Sequence, residues 1–160
     1  LASEIRLRAA VEADAEAIHG MIAALAHETI GPHQRVGHLA TLRRFGFGPE
    51  KCFDAIVAER SGAIVGTILV YDEFSSWRGE KGVYVLDIYV AAAARGEGVG
   101  RRLIEEAARW GRKRGASYVR LLVDEKNEAA MKFYRSLGFV EAAHDRIFVL
   151  AGDAYQKTFR

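Results

Sequence analysis

The sequence predicts an α/β fold of the mixed kind: a mostly antiparallel sheet around one central parallel strand–helix–strand unit, with helices on both faces. Three observations carry that expectation. First, a run at 83–90 rich in β-branched and aromatic residues is followed by a helical pattern at 99–114 and a second strand-like run at 118–123. Strands joined in this way lie parallel, with a right-handed crossover. Second, apolar runs at 53–59 and 63–71 flank Arg60, Ser61 and Gly62, the chemistry of an antiparallel hairpin. Third, 160 residues, 50% of them hydrophobic, suit a single domain over 1–160 with its own core.

The remaining elements follow in order. Residues 5–8 alternate and read as a first strand. A helix begins near Ala13, with Ile18, Met21, Ile22 and Leu25 on one stripe. His19 and His27 lie near one face of it, but no third ligand accompanies them, so they read as solvated or capping histidines and no metal is expected. Gly31 and Pro32 break this helix, and a short one follows at 36–45, stopped by Gly46, Gly48 and Pro49. Residues 72–81 read as a polar connection carrying Trp77. Gly115 ends the long helix, and Asn127 caps another that runs through Leu137 to Gly138. Residues 140–150 and 154–159 read as a closing antiparallel pair that turns at Gly152 and Asp153.

Composition excludes several classes. A net charge of +2 implies neither nucleic acid nor an acidic membrane surface as partner. No apolar run approaches the ~20 residues of a membrane span, and no signal peptide opens the sequence. Cys52 is the single cysteine, which excludes an internal disulfide and suits a reducing, cytoplasmic compartment. With no ordering partner in view it reads as a buried or half-buried thiol rather than a nucleophile.

Between the strand at 83–90 and the helix at 99–114 stand Arg95, Gly96, Glu97, Gly98, Val99 and Gly100. Alternate glycines leave a backbone that turns sharply and lets a ligand approach, and the following helix N-terminus offers unpaired N–H groups and a positive dipole end. That order builds an anion site. It is not a Walker A loop, since no Gly-Lys-Ser/Thr follows, and the glycine spacing is not that of a dinucleotide-binding fingerprint. Residues 95–114 hold seven basic against three acidic side chains, so the positive charge is concentrated beside the glycines.

Asp87 with Ile88, Tyr89 and Val90, then the glycine loop, then Asn127 with Ala130, then Phe133 with Tyr134, and Gly138 with Phe139 resemble the signature of the GCN5-related N-acetyltransferases (GNAT). The resemblance covers roughly 4–159, and residues 123–127 with the following Phe-Tyr are similar to the diamine (spermidine/spermine) acetyltransferase branch. It implies a GNAT-like fold, acetyl-CoA as cosubstrate with no metal, a small-molecule amine as second substrate, and a homodimer. It also implies that Ile88, Tyr89, Val90, residues 95–101 (Arg95, Gly96, Glu97, Gly98, Val99, Gly100 and Arg101), Asn127 and Tyr134 contact the coenzyme, with the glycine loop on its pyrophosphate. A backbone N–H near Tyr89 or Val90 would face the developing oxyanion. The first two helices and their loop would close over the acceptor, which makes His27, Glu28, His33 and His38 candidates by position. Trp77 is a further candidate on the substrate side.

Acetyl transfer to an amine needs a proton acceptor for the amine and a proton donor for the leaving thiolate. Tyr134 is the candidate acid, or else Phe133 and Tyr134 only pack their helix. Asp87, on a strand face that alternation shares with Val83, Val85 and Tyr89, either pairs structurally with an Arg or meets the cationic amine. Asn127 bonds the pantetheine arm, caps its helix, or does both. Where the diamine branch carries a second acid before this Asp, the sequence has Leu86. One carboxylate suits one ammonium group, and so an amino-acid-like or monoamine acceptor. A protein N-terminal or lysine acetyltransferase and a non-catalytic acyl-CoA-binding module are the other readings.

Overall fold

The computed structural model of the chain describes residues 4–158. The chain divides into two compact units, Leu1–Asn127 and Glu128–Arg160.

In the first unit β1 (Arg6–Ala9), β2 (Asp54–Arg60), β3 (Ala63–Ser75), β4 (Glu80–Val90) and β5 (Ala116–Leu121) form one sheet in that spatial order. Neighbours from β1 to β4 pair antiparallel, and β5 joins β4 in parallel. The crossover between those two is α3 (Val99–Arg112). Ser61 and Gly62 turn β2 into β3 with φ of 50° and 80°, the double left-handed bend whose twist matches paired strands.

Helices cover both faces. Ile18 of α1 (Ala15–Thr29) packs with Ala55, Val57 and Leu69, and Leu42 of α2 (Leu39–Gly46) joins them. The opposite face takes α3. A Cβ placed on Gly66 would press on Val99 and Leu103, and one on Gly111 would lie 2.1 Å from Val83. Ile18, Val57, Ile68 and Leu103 are fully buried in these layers, each contributing ~1.5–3 kcal/mol. Arg8 ties β1 to the start of α1. Its guanidinium meets Asp14 at 2.6 and 3.0 Å and Glu59 at 2.9 Å, while the Val11 N–H donates to Asp14 at 2.8 Å.

The structure corrects several expectations. Residues 72–81 are not a loop: β3 and β4 pair from Asp72↔Val83 to Ser75↔Glu80, leaving only 76–79 as the turn. Backbone pairing carries a hairpin beyond its apolar pattern, so the polar residues there gave no strand signal. Cys52 is exposed, not buried. The short helix starts at Leu39 rather than at 36.

The second unit contains α4 (Glu128–Ser136) and α5 (Gly152–Thr158). Gly138 (φ 92°) follows α4 as the left-handed residue that ends a helix, with the Phe139 N–H returning to the Tyr134 carbonyl at 3.1 Å. The expected antiparallel pair at 140–150 and 154–159 is not formed. Residues 152–158 are helical, and no described residue of 140–150 is in a strand (Phe159 lies outside the described residues). Val140, Ile147, Phe148 and Val149 are exposed there, an apolar run with no ladder to join.

Candidate active site

The geometry of the site begins with an irregularity in β4. Across from β3, Leu69 pairs with Asp87 and Val70 with Val85, so Leu86 is one residue too many. Such a bulge reverses the alternation beyond it. Val83 faces α3 and Val85 follows it, whereas Leu69 belongs to the cluster under α1. Asp87 takes the face of its partner Leu69. Simple alternation groups Asp87 with Val83 and Val85; the bulge turns it to the opposite face, with Tyr84 and Tyr89.

Asp87 is half-buried there, and burial alone raises its pKa. Among the described residues no hydrogen bond or ion pair reaches its carboxylate, so the structural pairing with an Arg is not present. Tyr84, stacked on Tyr71 with centroids 5.0 Å apart, also titrates above its usual value. Burial is the first cause, followed by Tyr71, and the charges of Arg120, Glu73 and Asp87 all reach its phenol.

A second feature follows from where pairing stops. The β4–β5 ladder ends at Val85↔Leu121, while β4 continues against β3 as far as Val90↔Gly66. Residues 86–90 therefore keep one open edge. The Ala91 N–H bonds to the Val65 carbonyl at 2.9 Å. Alternation then turns Tyr89 toward β3 and leaves the backbone groups of Ile88 and Val90 on the open side. Leu86 and Leu122, both exposed, follow the last pair on each strand.

The glycine loop comes next. Ala92–Ala94 make a 3-10 turn, and Gly96 and Gly98 have φ of 80° and 79°. A Cβ at either would meet nothing within 4 Å, so the space over the loop is open. No side chain caps α3, which starts at the buried Val99 with Gly100 and the exposed Arg101 behind it. The first-turn N–H groups are thus available to an anion. Glu97, which would oppose an anion, pairs with Arg60.

Arg95 points away from this cradle. It donates to the Val90 carbonyl at 2.8 Å and to Glu28 at 2.7 Å, and it lies over the Tyr89 ring. The Tyr89 hydroxyl donates to the other Glu28 oxygen at 2.7 Å. These two hydrogen bonds, Tyr89 first, hold the Glu28 carboxyl below its ordinary pKa. Glu28 thus joins the end of α1 to the approach of the glycine loop. Trp77 lies in the β3–β4 turn and is fully exposed. Asn127 bonds through its N–H to the Asp124 carbonyl at 2.9 Å, one residue before α4. Tyr134 belongs to the second unit, its ring 5.2 Å from Phe133 and 5.5 Å from Phe139, and burial pushes its phenol up to about 12. His19 bonds the Gly37 carbonyl at 2.7 Å. Among the described residues no group of three or more His, Cys, Asp or Glu is placed to hold a metal. A groove of about 780 Å³ lined by Glu4, Arg6, Glu59, Arg102, Glu105 and Arg109 includes none of these residues.

Sequence reasoning missed one cluster on the Asp87 face: Glu73, Tyr118 and Arg120. Arg120 donates to Glu73 through Nε and Nη2, and the Tyr118 hydroxyl bonds the same carboxylate at 3.0 Å. Its three members lie on strands separated by up to 47 positions, and Glu73 falls in the stretch at 72–81 that reads as a polar connection, so no local pattern joined them.

The sequence profile of the Acetyltransferase (GNAT) family matches residues 18–139. The chain belongs to that family. It is 32% identical over 165 residues to the thialysine N-epsilon-acetyltransferase of Bos taurus, covering 96% of each chain. It is 30% identical over 110 residues to an L-ornithine N5-acetyltransferase of Arabidopsis thaliana, covering 69% of this chain and 45% of that one. Among solved structures it is similar in fold to an integron cassette protein of V. cholerae (TM-score 0.81, 18% identity, 98% of each chain). An aminoglycoside N-acetyltransferase in complex with CoA is similar too (TM-score 0.74, 20% identity, 96% of this chain and 97% of that one). The protein is therefore a GNAT N-acetyltransferase, and acetyl-CoA is the donor its family uses.

Proposed function

We propose that this GNAT acetyltransferase moves the acetyl group of acetyl-CoA to the primary amine of a small molecule, an amino-acid-like amine or a diamine, by direct transfer in a ternary complex. The observation that carries this reading is the unpartnered Asp87 carboxylate on the stretch of β4 whose edge is open. A half-buried carboxylate without a cation of its own is completed by an incoming ammonium. Two relatives whose names specify thialysine and ornithine add support, since both carry a side-chain amine.

In the proposed reaction the coenzyme's diphosphate rests on the N–H groups at 95–101, and its thioester lies along the open edge at 86–90. Asp87 takes a proton from the bound ammonium, directly or through water. The free amine attacks the thioester carbon, whose oxygen leans on a backbone N–H, that of Val90 by the alternation above. The tetrahedral adduct gives up the nitrogen's second proton to water and collapses with cleavage of the C–S bond, and the departing thiolate takes a proton. Tyr134 is the donor proposed for that proton, a role that rests on the motif, and water then restores the proton to its phenol. Asn127 is proposed to bond the pantetheine arm. Catalysis is assigned to one domain over 1–160, in the cytoplasm, which the single thiol of Cys52 suits. The enzyme is proposed to act as a homodimer, a state that would cover the exposed apolar run at 147–150.

The test is free-thiol release from acetyl-CoA with a panel of acceptors: amino acids with side-chain amines, diamines, monoamines, and peptides with a free N-terminus or lysine. Turnover concentrated on the small amines is the expected result. Turnover on peptides alone would replace this reading with protein acetylation, and no turnover on any amine would remove it.

A further inference from the structure

We propose that Arg120, oriented by Glu73 and Tyr118 above the Tyr84 ring, docks the carboxylate of the acceptor, so that the enzyme selects amino acids bearing a side-chain amine over diamines. The inference rests on the reading of Asp87 as the group that meets the reacting amine.

Arg120 is built into the sheet from both sides of β4. It stands beside Tyr84 in the parallel register, while Glu73 stands beside Gly82 in the antiparallel one. Gly82 leaves room for the Tyr118 ring, from which a Cβ there would lie 2.2 Å, and the Tyr118 hydroxyl reaches Glu73 across β4 at 3.0 Å. Glu73 receives Nε at 3.0 Å and Nη2 at 2.6 Å, occupying one edge of the guanidinium. Arg120 also lies over the Tyr84 ring, 5.1 Å from its centroid. Nη1 makes no hydrogen bond among the described residues. The Arg120 side chain is 55% exposed whereas that of Glu73 is 13% exposed, so the acid is the buried anchor and the base is presented. A planar fork with a second edge to offer binds a carboxylate through two parallel N–H···O bonds.

The spacing fits such a ligand. From Tyr84 to Asp87 the chain advances by two residues of β3, Tyr71 to Leu69, since Leu86 is the bulge. That is ~7 Å along the strand and, with one strand spacing aside, ~8 Å from Arg120 to Asp87 between Cα atoms. An amino acid with three or four side-chain methylenes holds its terminal nitrogen ~6–7 Å from its carboxylate carbon. Its amine reaches Asp87, its methylenes lie over the stacked Tyr71 and Tyr84 rings, and its carboxylate meets Arg120. The electrostatics agree, since both Asp87 and the Glu73–Arg120 pair act on the Tyr84 phenol between them. A diamine of the same length would bring a second ammonium to a guanidinium instead, and like charges there exclude it.

The test compares L-ornithine with 1,4-diaminobutane, which has the same chain without the carboxylate, in the wild type, in Arg120→Gln and in the double variant Glu73→Gln, Arg120→Gln. The double variant removes the anion that Arg120→Gln alone would leave buried. The inference expects the wild type to prefer ornithine at least tenfold in kcat/KM. Both variants should raise KM for ornithine at least tenfold with little change in kcat, and leave KM for the diamine unchanged or lower. An equal loss on both acceptors in the folded double variant, checked by its melting temperature, would make the cluster a structural tie and overturn the inference alone. A wild type that acetylates neither compound would overturn the inference, while the small-amine reading falls only if the whole panel of amines gives no turnover.

Discussion

The Asp87 carboxylate carries its charge at a cost, because burial raises its pKa and no cation lowers it. Its ionised form is the one that holds an ammonium, so turnover should fall as pH drops through a value above the ordinary carboxylate range. Asp87→Asn should raise KM for cationic acceptors and abolish that acidic limb in a pH–rate profile. The stability effect has the opposite sign. A raised folded-state pKa favours the protonated form, so acidification through that range stabilises the fold and Asp87→Asn should not lower the melting temperature. A lowered melting temperature with an unchanged acidic limb would count against the role. Tyr134→Phe removes one hydroxyl and little volume. It should keep acetyl-CoA affinity by calorimetry while turnover falls ~10²–10⁴-fold, and an unchanged kcat with chemistry rate-limiting would leave Tyr134 as packing. Asp87, Tyr134 and the glycines stand out in the sequence as candidates because the family motif they resemble marks them together. Arg120 and Glu73 do not, since Arg120 is one charged residue in an apolar run and Glu73 falls in a stretch that reads as a polar connection, until the sheet brings them together.

At the level of elements, two glycines in helices separate packing from propensity. Gly111 of α3 faces Val83, which is buried, and a Cβ would come within 2.1 Å of it. Gly111→Ala gains ~1 kcal/mol of helix propensity but overpacks the sheet, a cost of ~1–3 kcal/mol. The clash wins because Val83 has no room to yield, and urea unfolding should show a net loss. Gly20 of α1 meets nothing within 4 Å, so Gly20→Ala should instead be neutral or stabilising by up to ~1 kcal/mol. An equal gain from both would show that α3 does not press on β4 as described. Strand and helix types were legible where periodicity is strong, as in the apolar stripe of α3 and the β-branched runs of β3 and β4. The bulge at Leu86 was not, because one extra residue changes no composition yet turns Asp87 to the other face. The run at 140–150 has strand-like apolar content, but a strand exists only where a neighbouring edge pairs it, and residues 152–158 carried a helix that the turn at Gly152 concealed.

For the molecule as a whole, the parallel unit β4–α3–β5 does two things at once. It sets an uncapped helix N-terminus behind a glycine loop, and it ends the β5 ladder early enough to open the edge of β4. That architecture was legible from the order strand, glycines, helix, strand; the length of the opening depends on where pairing stops, which no local pattern encodes. In the proposed reaction it brings donor and acceptor to one place without a covalent intermediate, and the exposed Cys52 is given no part. Initial rates of thiol release, with acetyl-CoA and ornithine varied together, test this most directly. Transfer in a ternary complex predicts double-reciprocal lines that intersect. Parallel lines, the mark of an acetylated enzyme that forms before the amine binds, would contradict it.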